Sequence, residues 1–428
     1  MQSYAPLDTS TPVVDAERAA HRFLLAWLAC VVFYFLEYLN RSAPAAMLPE
    51  LAKHFDVSTL GVSSILGVYY YAYALLSLVA GLLLDRLGAK WVIGAGALCL
   101  GLGCALFAVP HALIGDVGRL LQGGGSAFAF TGAIYLASHG LPASRLATAV
   151  GITQCVGMLG GSAGQLTAGP LVQSPLGAPG FWLVSGALVA CVAILLFLIT
   201  PRESRQDHPP ASILAALQTY KIVFTNPQSY FCGIVAGLLF APTTIYDMVW
   251  GVRFLQQDRG LPYPTATFLA SMVPFGWVIG CPLLGWLADY TGRRKPALLL
   301  GIGLMILCLL QLTFAPIPLP SWLTLLVFGI ASGAAMIPYT IIKEANPDKV
   351  KGSATGGMNF LTFSVTAALG PVFATHYGTT LSTVTNHLQH LRQARYFWLV
   401  TTLIAMCVTF ALKETGKSRH ATPVLDVP

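Results

Sequence analysis

The sequence predicts an all-α membrane protein whose twelve transmembrane helices form two similar halves. Three observations lead to this fold class. Of 428 residues, 55% are hydrophobic and only 10% are charged, against about 25% charged in soluble domains. Twelve apolar runs approach or exceed the ~20 residues that cross a bilayer, and a polar linker separates the first six from the last six. Such a composition excludes a soluble globular protein, whose surface requires more charged residues. It also excludes a disordered chain, which is polar rather than apolar.

The predicted helices divide the chain into segments. We expect an N-terminal tail over 1–22, a first half over 23–200, a linker over 201–227, a second half over 228–412 and a C-terminal tail over 413–428. The spans of the first half lie near 23–48, 59–84, 91–110, 113–137, 146–172 and 180–200. Those of the second half lie near 229–255, 264–288, 296–315, 320–342, 353–377 and 396–412. Within the linker, segment 211–224 is amphipathic and suits a short helix on the membrane surface.

The basic residues predict the orientation. With both termini in the cytoplasm, the cytoplasmic segments hold 17 lysines and arginines and the opposite side holds five, as the positive-inside rule requires. The net charge of +7 therefore reflects topology, and no nucleic-acid partner is expected. The N-terminus is polar and lacks the basic start and short apolar stretch of a cleavable signal peptide. We expect a monomer that spans the inner (cytoplasmic) membrane, in contact with lipid.

No cofactor, metal site or enzymatic centre is indicated. All nine cysteines lie inside apolar runs, and no CxxC or Cys/His cluster of metal spacing occurs. His387 and His390 form an HxxH pattern before the last span, for which a solvated surface is favoured over a metal site. The role of His376 stays open. The chain has no phosphate-binding G-x-x-x-x-G-K-[ST] motif, so ATP is not the expected energy source.

Two loops repeat one motif. GLLLDRLGAK at 81–90 and GWLADYTGRRK at 285–295 share the form G-x-x-x-D-x-x-G followed by basic residues, and they lie 204 positions apart. A repeat of six spans indicates duplicated halves. Glycine allows close approach of two helices, and an aspartate can cap the N-terminus of a neighbouring helix.

With these loops the chain resembles the major facilitator superfamily, whose signature lies between spans two and three. A second signature, R-x-x-Q-G in span four, is matched by Arg119, Gln122 and Gly123. The resemblance covers residues 20–415. It implies two six-helix bundles related by pseudo-twofold symmetry around a central cavity, with alternating access by rocking. A scaffold or receptor without transport is the alternative. The residues expected to control gating are Gly81, Asp85, Arg86, Gly88, Gly285, Asp289, Gly292 and Arg293.

Few ionisable residues lie within the spans, and each is a functional hypothesis because burying it unpaired is costly. Glu37 and Arg41 in span one are one turn apart and can pair. Adding the repeat distance of 204 to Arg41 gives position 245, close to Asp247 in span seven. A structural cluster that locks the halves together is the alternative for these three residues. Asp116 and Arg119 in span four are either a local pair or part of proton coupling.

The stretch Tyr38-Leu39-Asn40-Arg41 is similar to the Y-x-x-R pattern of organophosphate:phosphate antiporters and organic-acid symporters. The resemblance implies that Arg41 binds an anionic group, for which its planar fork is suited. In span two, Tyr70 and Tyr73 would share a helix face with Ser77. The candidate substrate-binding residues are Arg41, Tyr38, Tyr70, Tyr73 and Asp247.

Two departures from these subfamilies bear on the substrate. Organophosphate antiporters carry a second arginine in span seven, where this chain has Ile245, Tyr246 and Asp247; this disfavours a dianionic phosphate. Organic-acid symporters carry a glutamate in span four, where this chain reads GGGSAFAF. No subfamily therefore fits in full.

The expected function is alternating-access transport of a small organic anion, either a carboxylate or a carboxylate-bearing zwitterion, driven by protons. The candidate coupling residues are Glu37, Asp247, Asp116 and Arg119. The alternatives are an exporter of a siderophore, drug or metabolite and an exchanger of phosphate and sugar phosphate. The direction of transport, the coupling stoichiometry and the identity of the substrate stay open.

Overall fold

The computed structural model describes residues 11–202, 213–314, 319–347, 350–383 and 387–416, and its regular elements in these ranges are all helical. A helix lies at each of the twelve predicted spans, which confirms the all-α membrane fold. The first six are α1 Thr11–Ser42, α2 Thr59–Leu87, α3 Ala89–Phe107, α4 Ala112–Gly140, α5 Ala143–Gln173 and α6 Gly177–Ile199. The last six begin with α7 Pro227–Ala241, α8 Tyr263–Thr291 and α9 Arg294–Phe314, and continue with α10 from Ser321–Ser332 to Ile337–Glu344, α11 Lys351–Thr383 and α12 His387–Ala411.

Ten of these helices are long and apolar enough to cross a membrane by length and composition. The other two, α4 and α5, contain 29 and 31 residues, which is long enough to span the bilayer. Both are rich in glycine, serine, threonine and glutamine. Their polar and small residues face neighbouring helices, so many of them, including Gln122, Ser126 and Gln165, are buried.

Helix α7 changes its winding in the middle of the membrane. Pro242 has no N–H to donate, so it interrupts the regular α-helical hydrogen bonds. From Pro242 to Gly251 the chain continues in wider π-helical turns, and a second such stretch follows at Phe254–Asp258. Turns of this type are rare in proteins, and those that occur are often found at functional sites. They carry Asp247 into the protein interior.

Helices α1–α6 pack together, as do α7–α12, and the two groups meet mainly where α2 contacts α11 and α5 contacts α8. We call the end with the basic loops after α2 and α8 the basic end, and the opposite end the far end. At the far end, Ala45 packs against Val252, Ala266 and Ala270. The hydroxyl of Tyr263 donates to the Ala46 carbonyl at 2.5 Å. The two bundles are therefore in contact at the far end.

The linker forms a helix at Ile213–Thr225, where the amphipathic segment was expected. This linker helix contacts both bundles, because the Tyr220 hydroxyl donates to the Leu78 carbonyl of α2 and the hydroxyls of Thr219 and Ser353 of α11 are 2.6 Å apart. Residues 203–212 lie outside the described part of the chain, so the boundaries of the five predicted segments stay a prediction.

Glycines of α5 fix the position of α1. A Cβ atom added at Gly160 would overlap the Phe35 carbonyl oxygen, and one at Gly164 would overlap the Leu39 carbonyl oxygen. The two backbones can approach this closely because glycine has no side chain. Residues 37 and 41, on the same helix, are placed by this contact.

We expect Gly160→Leu to lower the free energy of unfolding by about 1–3 kcal/mol, the usual cost of overpacking. Gly151→Leu in the same helix is the matched control, since a Cβ at Gly151 has no neighbour within 4 Å. Thermal unfolding of the purified protein in detergent measures both. Equal melting temperatures for the two variants would contradict the role of Gly160.

Candidate functional site

The centre of the site is a buried ion pair on α1. Glu37 is 0% and Arg41 is 2% exposed, and Arg41 Nη2 forms a salt bridge with Glu37 Oε1. Tyr69 of α2 joins the two side chains, because its hydroxyl donates to Glu37 Oε1 and accepts from Arg41 Nε at 3.1 Å and from Nη2 at 2.8 Å. The predicted pairing of Glu37 with Arg41 is therefore present in the structure, with a tyrosine as third member.

Five aromatic rings enclose the guanidinium of Arg41. The ring centroids lie 4.5 Å from Arg41 Cζ for Tyr38, 4.8 Å for Tyr73, 5.0 Å for Tyr69, 5.3 Å for Phe363 and 5.9 Å for Tyr70. A cation away from water gains about 2 kcal/mol from such a ring. The predicted binding residues Tyr38, Tyr70 and Tyr73 thus converge on Arg41, and Phe363 is contributed by α11 of the other bundle.

Two polar atoms of the ion pair stay available. Among the described residues, Arg41 Nη1 and Glu37 Oε2 are buried and have no hydrogen-bond partner. Leaving a buried polar atom unpaired costs about 1–3 kcal/mol, and more for a charged group. The guanidinium therefore has one free edge that an additional acceptor, such as a carboxylate oxygen, would satisfy.

Helix α4 supports this centre through its R-x-x-Q-G motif. A Cβ at Gly123 would overlap the Tyr69 carbonyl, so α4 lies directly against α2 at the residue that joins Glu37 and Arg41. Arg119 Nη1 donates to Gln122 Oε1 at 2.5 Å, and its Cζ lies 5.3 Å from the Tyr69 ring. Within the described part of the chain, Arg119 has no ion pair with Asp116.

The C-terminal bundle presents a polar surface beside Phe363. The Tyr339 hydroxyl donates to Asn359 Oδ1 at 2.8 Å. Thr362 lies next to Phe363 in sequence, and its hydroxyl is buried without a partner among the described residues. Phe363 itself lies over Tyr73, with ring centroids 4.6 Å apart. Phe363 therefore contacts the arginine of the other bundle, and hydroxyl and amide groups of its own bundle lie on the same helix or are bonded to it.

Asp247 occupies a separate position. It is 3% exposed, and its Oδ2 accepts a hydrogen bond from Gln165 Nε2 of α5 at 2.9 Å. No ion pair joins it to Arg41 among the described residues. The structure therefore brings Glu37 and Arg41 together and leaves Asp247 as a hydrogen-bonded contact between the two bundles.

The predicted gating residues lie at the basic end. A Cβ added at Gly81 or Gly285 would have no neighbour within 4 Å among the described atoms. Gly88 and Gly292 have φ angles of 78° and 63°, which favour glycine. In this conformation Gly81 and Gly285 therefore make no close contact with another helix. Gly88 and Gly292 lie at the C-terminal ends of α2 and α8.

Asp289 and its neighbours form a charged network within the C-terminal bundle. Arg294 Nη1 is 2.5 Å from Asp289 Oδ1, and Arg294 Nη2 is 2.7 Å from Glu344 Oε1. Arg293 lies 4.0 Å from Glu414, and Arg86 is half-buried. The side chains of Asp85, His387 and His390 lie outside the described part; His376 is exposed and stacks on Phe397 at 6.0 Å.

Sequence reasoning missed Tyr69, Phe363 and Gln165. A signal for Tyr69 was present, because it precedes Tyr73 by one helical turn, and the two rings stack at 5.9 Å. Phe363 and Gln165 reach the site from other helices, so no local pattern identified them.

Known proteins with similar sequences and structures include membrane transporters and a membrane sensor. The membrane sensor protein UhpC of Escherichia coli (strain K12) is 23% identical over 398 residues, covering 84% of this chain and 87% of UhpC. The hexuronate transporter of the same organism is 32% identical over 302 residues, covering 63% of this chain and 68% of that protein.

Among solved structures, a bacterial homologue of the human lysosomal transporter Spinster, inward-facing and occupied, has a TM-score of 0.71 and 16% identity. The match covers 90% of this chain and 96% of that one, and at this identity it establishes the fold alone. The family model of the Major Facilitator Superfamily matches residues 30–371. The chain therefore belongs to the Major Facilitator Superfamily of membrane transporters.

Proposed function

We propose that this protein carries a small organic anion across the membrane by alternating access, in symport with protons, and that Arg41 binds the anionic group. The observation that carries the proposal is the free Nη1 edge of a buried arginine. A carboxylate satisfies such an edge, since arginine binds carboxylates with paired hydrogen bonds. Membership of a transporter superfamily means that the chain is not an enzyme.

A sugar acid is the substrate class that the site favours. One relative is a hexuronate transporter, and hexuronates combine one carboxylate with several hydroxyls. The carboxylate would bind Arg41, while Tyr339, Asn359 and Thr362 of the other bundle offer hydroxyl and amide groups for the hydroxyls. A substrate held by both bundles would draw them together, as rocking transport requires.

Coupling to protons follows from competition for Arg41. Glu37 stays ionised while it is paired with Arg41, because the pair offsets the cost of burying either charge. A substrate carboxylate that binds the guanidinium would weaken this pair. The carboxylate of Glu37 would then be buried without compensation and would take a proton. Asp247, which is as deeply buried, is the second candidate for the coupling acid.

Orientation is part of the same proposal. The basic end lies in the cytoplasm, both termini are cytoplasmic, and the membrane is the bacterial inner membrane. The far end, where the bundles are in contact through Ala46 and Tyr263, then faces outward.

Uptake by liposomes that contain the purified protein tests this function. D-galacturonate and D-galactose form a matched pair, since they differ in the carboxylate that Arg41 would bind. We expect accumulation of D-galacturonate under an inward proton gradient and none of D-galactose. Sulfoacetate and a sugar phosphate test other anions. If none of these anions is carried or bound, an organic-anion transporter is ruled out for this set of substrates.

Sensing is the second candidate function, because the relative that aligns with 84% of this chain is named a sensor. A sensor would bind D-galacturonate without carrying it across the liposome membrane. Equilibrium binding measured beside uptake separates the two functions.

Arg41→Lys is expected to reduce uptake more than tenfold, because an ammonium group keeps the charge but cannot form the paired hydrogen bonds of the guanidinium. Arg253→Lys is the control. Arg253 lies away from the central site, and its Nε donates a hydrogen bond of 2.8 Å to Gln257 Oε1. Initial rates and binding constants for both variants give the comparison. Unchanged uptake and affinity in Arg41→Lys would show that Arg41 does not bind the anion.

Neutralising the coupling acid is expected to abolish uphill uptake and to leave exchange of substrate for substrate intact. The variants are Glu37→Gln, Asp247→Asn and both together, with the exposed acid Glu50→Gln as control. Uptake under a pH gradient and counterflow at equal pH are measured in the same liposomes. If the double variant still accumulates substrate, the proton is carried elsewhere, and Asp116 becomes the next candidate.

Gly285→Leu is expected to block transport without lowering the melting temperature. Gly285 borders a cavity of about 120 Å³ at the basic end, together with Asp289 and Arg294. The residues that border this cavity all belong to the C-terminal bundle. A leucine has room at position 285 in this conformation. Because we propose that the bundles meet at Gly285 when the basic end shuts, the leucine would prevent that closure. Gly303→Leu, where a Cβ also has no neighbour within 4 Å, is the control. Normal turnover in Gly285→Leu would count against a gating contact at this glycine.

A further inference from the structure

A second group of charges surrounds a small cavity near the far end of the C-terminal bundle. The cavity has a volume of about 20 Å³ and is bordered by α7, α9, α10 and α12. Its polar lining consists of Tyr246, Asp247, Arg259, Ser321 and Arg395. It has room for a water molecule or a group of similar size. The cavity is distinct from the Arg41 centre, which none of these residues contacts in the described hydrogen bonds and ion pairs.

Two arginines converge on this cavity. Arg395 is 4% exposed; its Nη1 donates to the Leu312 carbonyl, and its Nε lies 3.5 Å from the Tyr246 hydroxyl. Arg259 is half-buried in the loop after α7. Burial and the nearby positive charge of Arg395 lower the pKa of Arg259. The positive charges of Arg259 and Arg395 therefore repel each other at a cavity that is partly shielded from solvent.

No acid of the described part forms an ion pair with either arginine. Asp247 borders the same cavity, but its Oδ2 is bonded to Gln165 of the other bundle. An arginine cannot lose its proton to relieve this cost. An anion bound at this cavity would stabilise two positive charges that have no ion-paired acid among the described residues.

We propose that this cavity is a second anion-binding site, in which Arg259 and Arg395 bind one small monovalent anionic group. The group is either an inorganic anion such as chloride or the carboxylate of an organic anion. The cavity volume excludes a whole sugar acid in this conformation and admits a single ion or a carboxylate of the smallest size. The site differs from the central one in its bundle, its residues and its occupant.

Asp247 links this site to the contact between the bundles. An ionised Asp247 would repel an anion in the cavity, since it borders the same cavity. A neutral side chain at this position removes that repulsion. Occupancy of the cavity is therefore expected to be stronger when residue 247 carries no charge.

Thermal unfolding of the purified protein tests the site. The buffer salt is sodium MES, whose sulfonate is too bulky for the cavity, and it is replaced at constant ionic strength by sodium chloride or sodium formate. A ligand that binds the folded protein stabilises it by mass action. We expect the melting temperature to rise with chloride, formate or both, and to rise further in Asp247→Asn. Chloride alone identifies an inorganic anion as occupant, and formate alone identifies a carboxylate.

Arg395→Gln and Arg259→Gln are expected to lose this rise. Arg253→Gln is the matched control, because Arg253 has the same charge at the same end but contacts Gln257 and the Trp250 ring. If Arg395→Gln does not fold, Arg259→Gln alone tests the proposal. Arg259 is only half-buried and lies in a loop, so its substitution is expected to leave the fold intact.

Arg41→Lys is expected to keep the rise, which separates this site from the central one. The result therefore does not depend on whether the protein carries organic anions. The proposal is overturned if neither anion stabilises the protein, or if Arg259→Gln keeps the full rise. It is also overturned if Arg253→Gln loses the rise to the same extent, since that would indicate a general effect of salt.

Discussion

The positive charge of Arg41 in the middle of the membrane is the constraint on which the centre of this protein depends. The guanidinium stays ionised under all conditions, and an unpaired charge at this depth costs several kcal/mol. Its surroundings offset that cost: an acid one turn away, a tyrosine hydroxyl that joins both charges, and five aromatic rings around the guanidinium. Arg41 Nη1 has no hydrogen-bond partner among the described residues. This unpaired edge of the guanidinium is the reason to propose that Arg41 binds a substrate and is not purely structural.

Close helix packing is the condition for this arrangement. Glycines 160 and 164 bring α5 against the backbone of α1, and Gly123 brings α4 against α2 at Tyr69. These close backbone contacts keep α1 and α2 at the separation at which Tyr69 bonds to both Glu37 and Arg41. Because the contacts are between backbones, bulkier residues there would displace the charges as well as the helices. The polar and small residues that make α4 and α5 weakly apolar are therefore the same residues that position the site.

The two buried acids have different partners, which separates their proposed tasks. Glu37 is paired with an arginine within the N-terminal bundle, so its charge responds to whatever binds that arginine. Asp247 is bonded to a glutamine across the bundle interface and borders the cavity of Arg259 and Arg395. Its protonation would therefore affect the contact between the bundles and the anion site together. A transporter needs both kinds of response: one to the substrate and one to the opening of the bundles.

Reading along the amino-acid sequence is enough to predict the all-α membrane fold, the positions of twelve helices, the duplicated loop motif and the pairing of Glu37 with Arg41. These are local properties: hydropathy runs, loop motifs and a spacing of one helical turn can all be read along the chain. Three features depend instead on how the helices pack: Tyr69 joins the pair, Phe363 completes the aromatic enclosure of Arg41, and Asp247 bonds to Gln165. The repeat distance suggested that Asp247 lies opposite Arg41, but the wider turns after Pro242 change the direction of the side chains on α7. Contacts between helices far apart in sequence depend on how the bundles pack, which no single-helix pattern records.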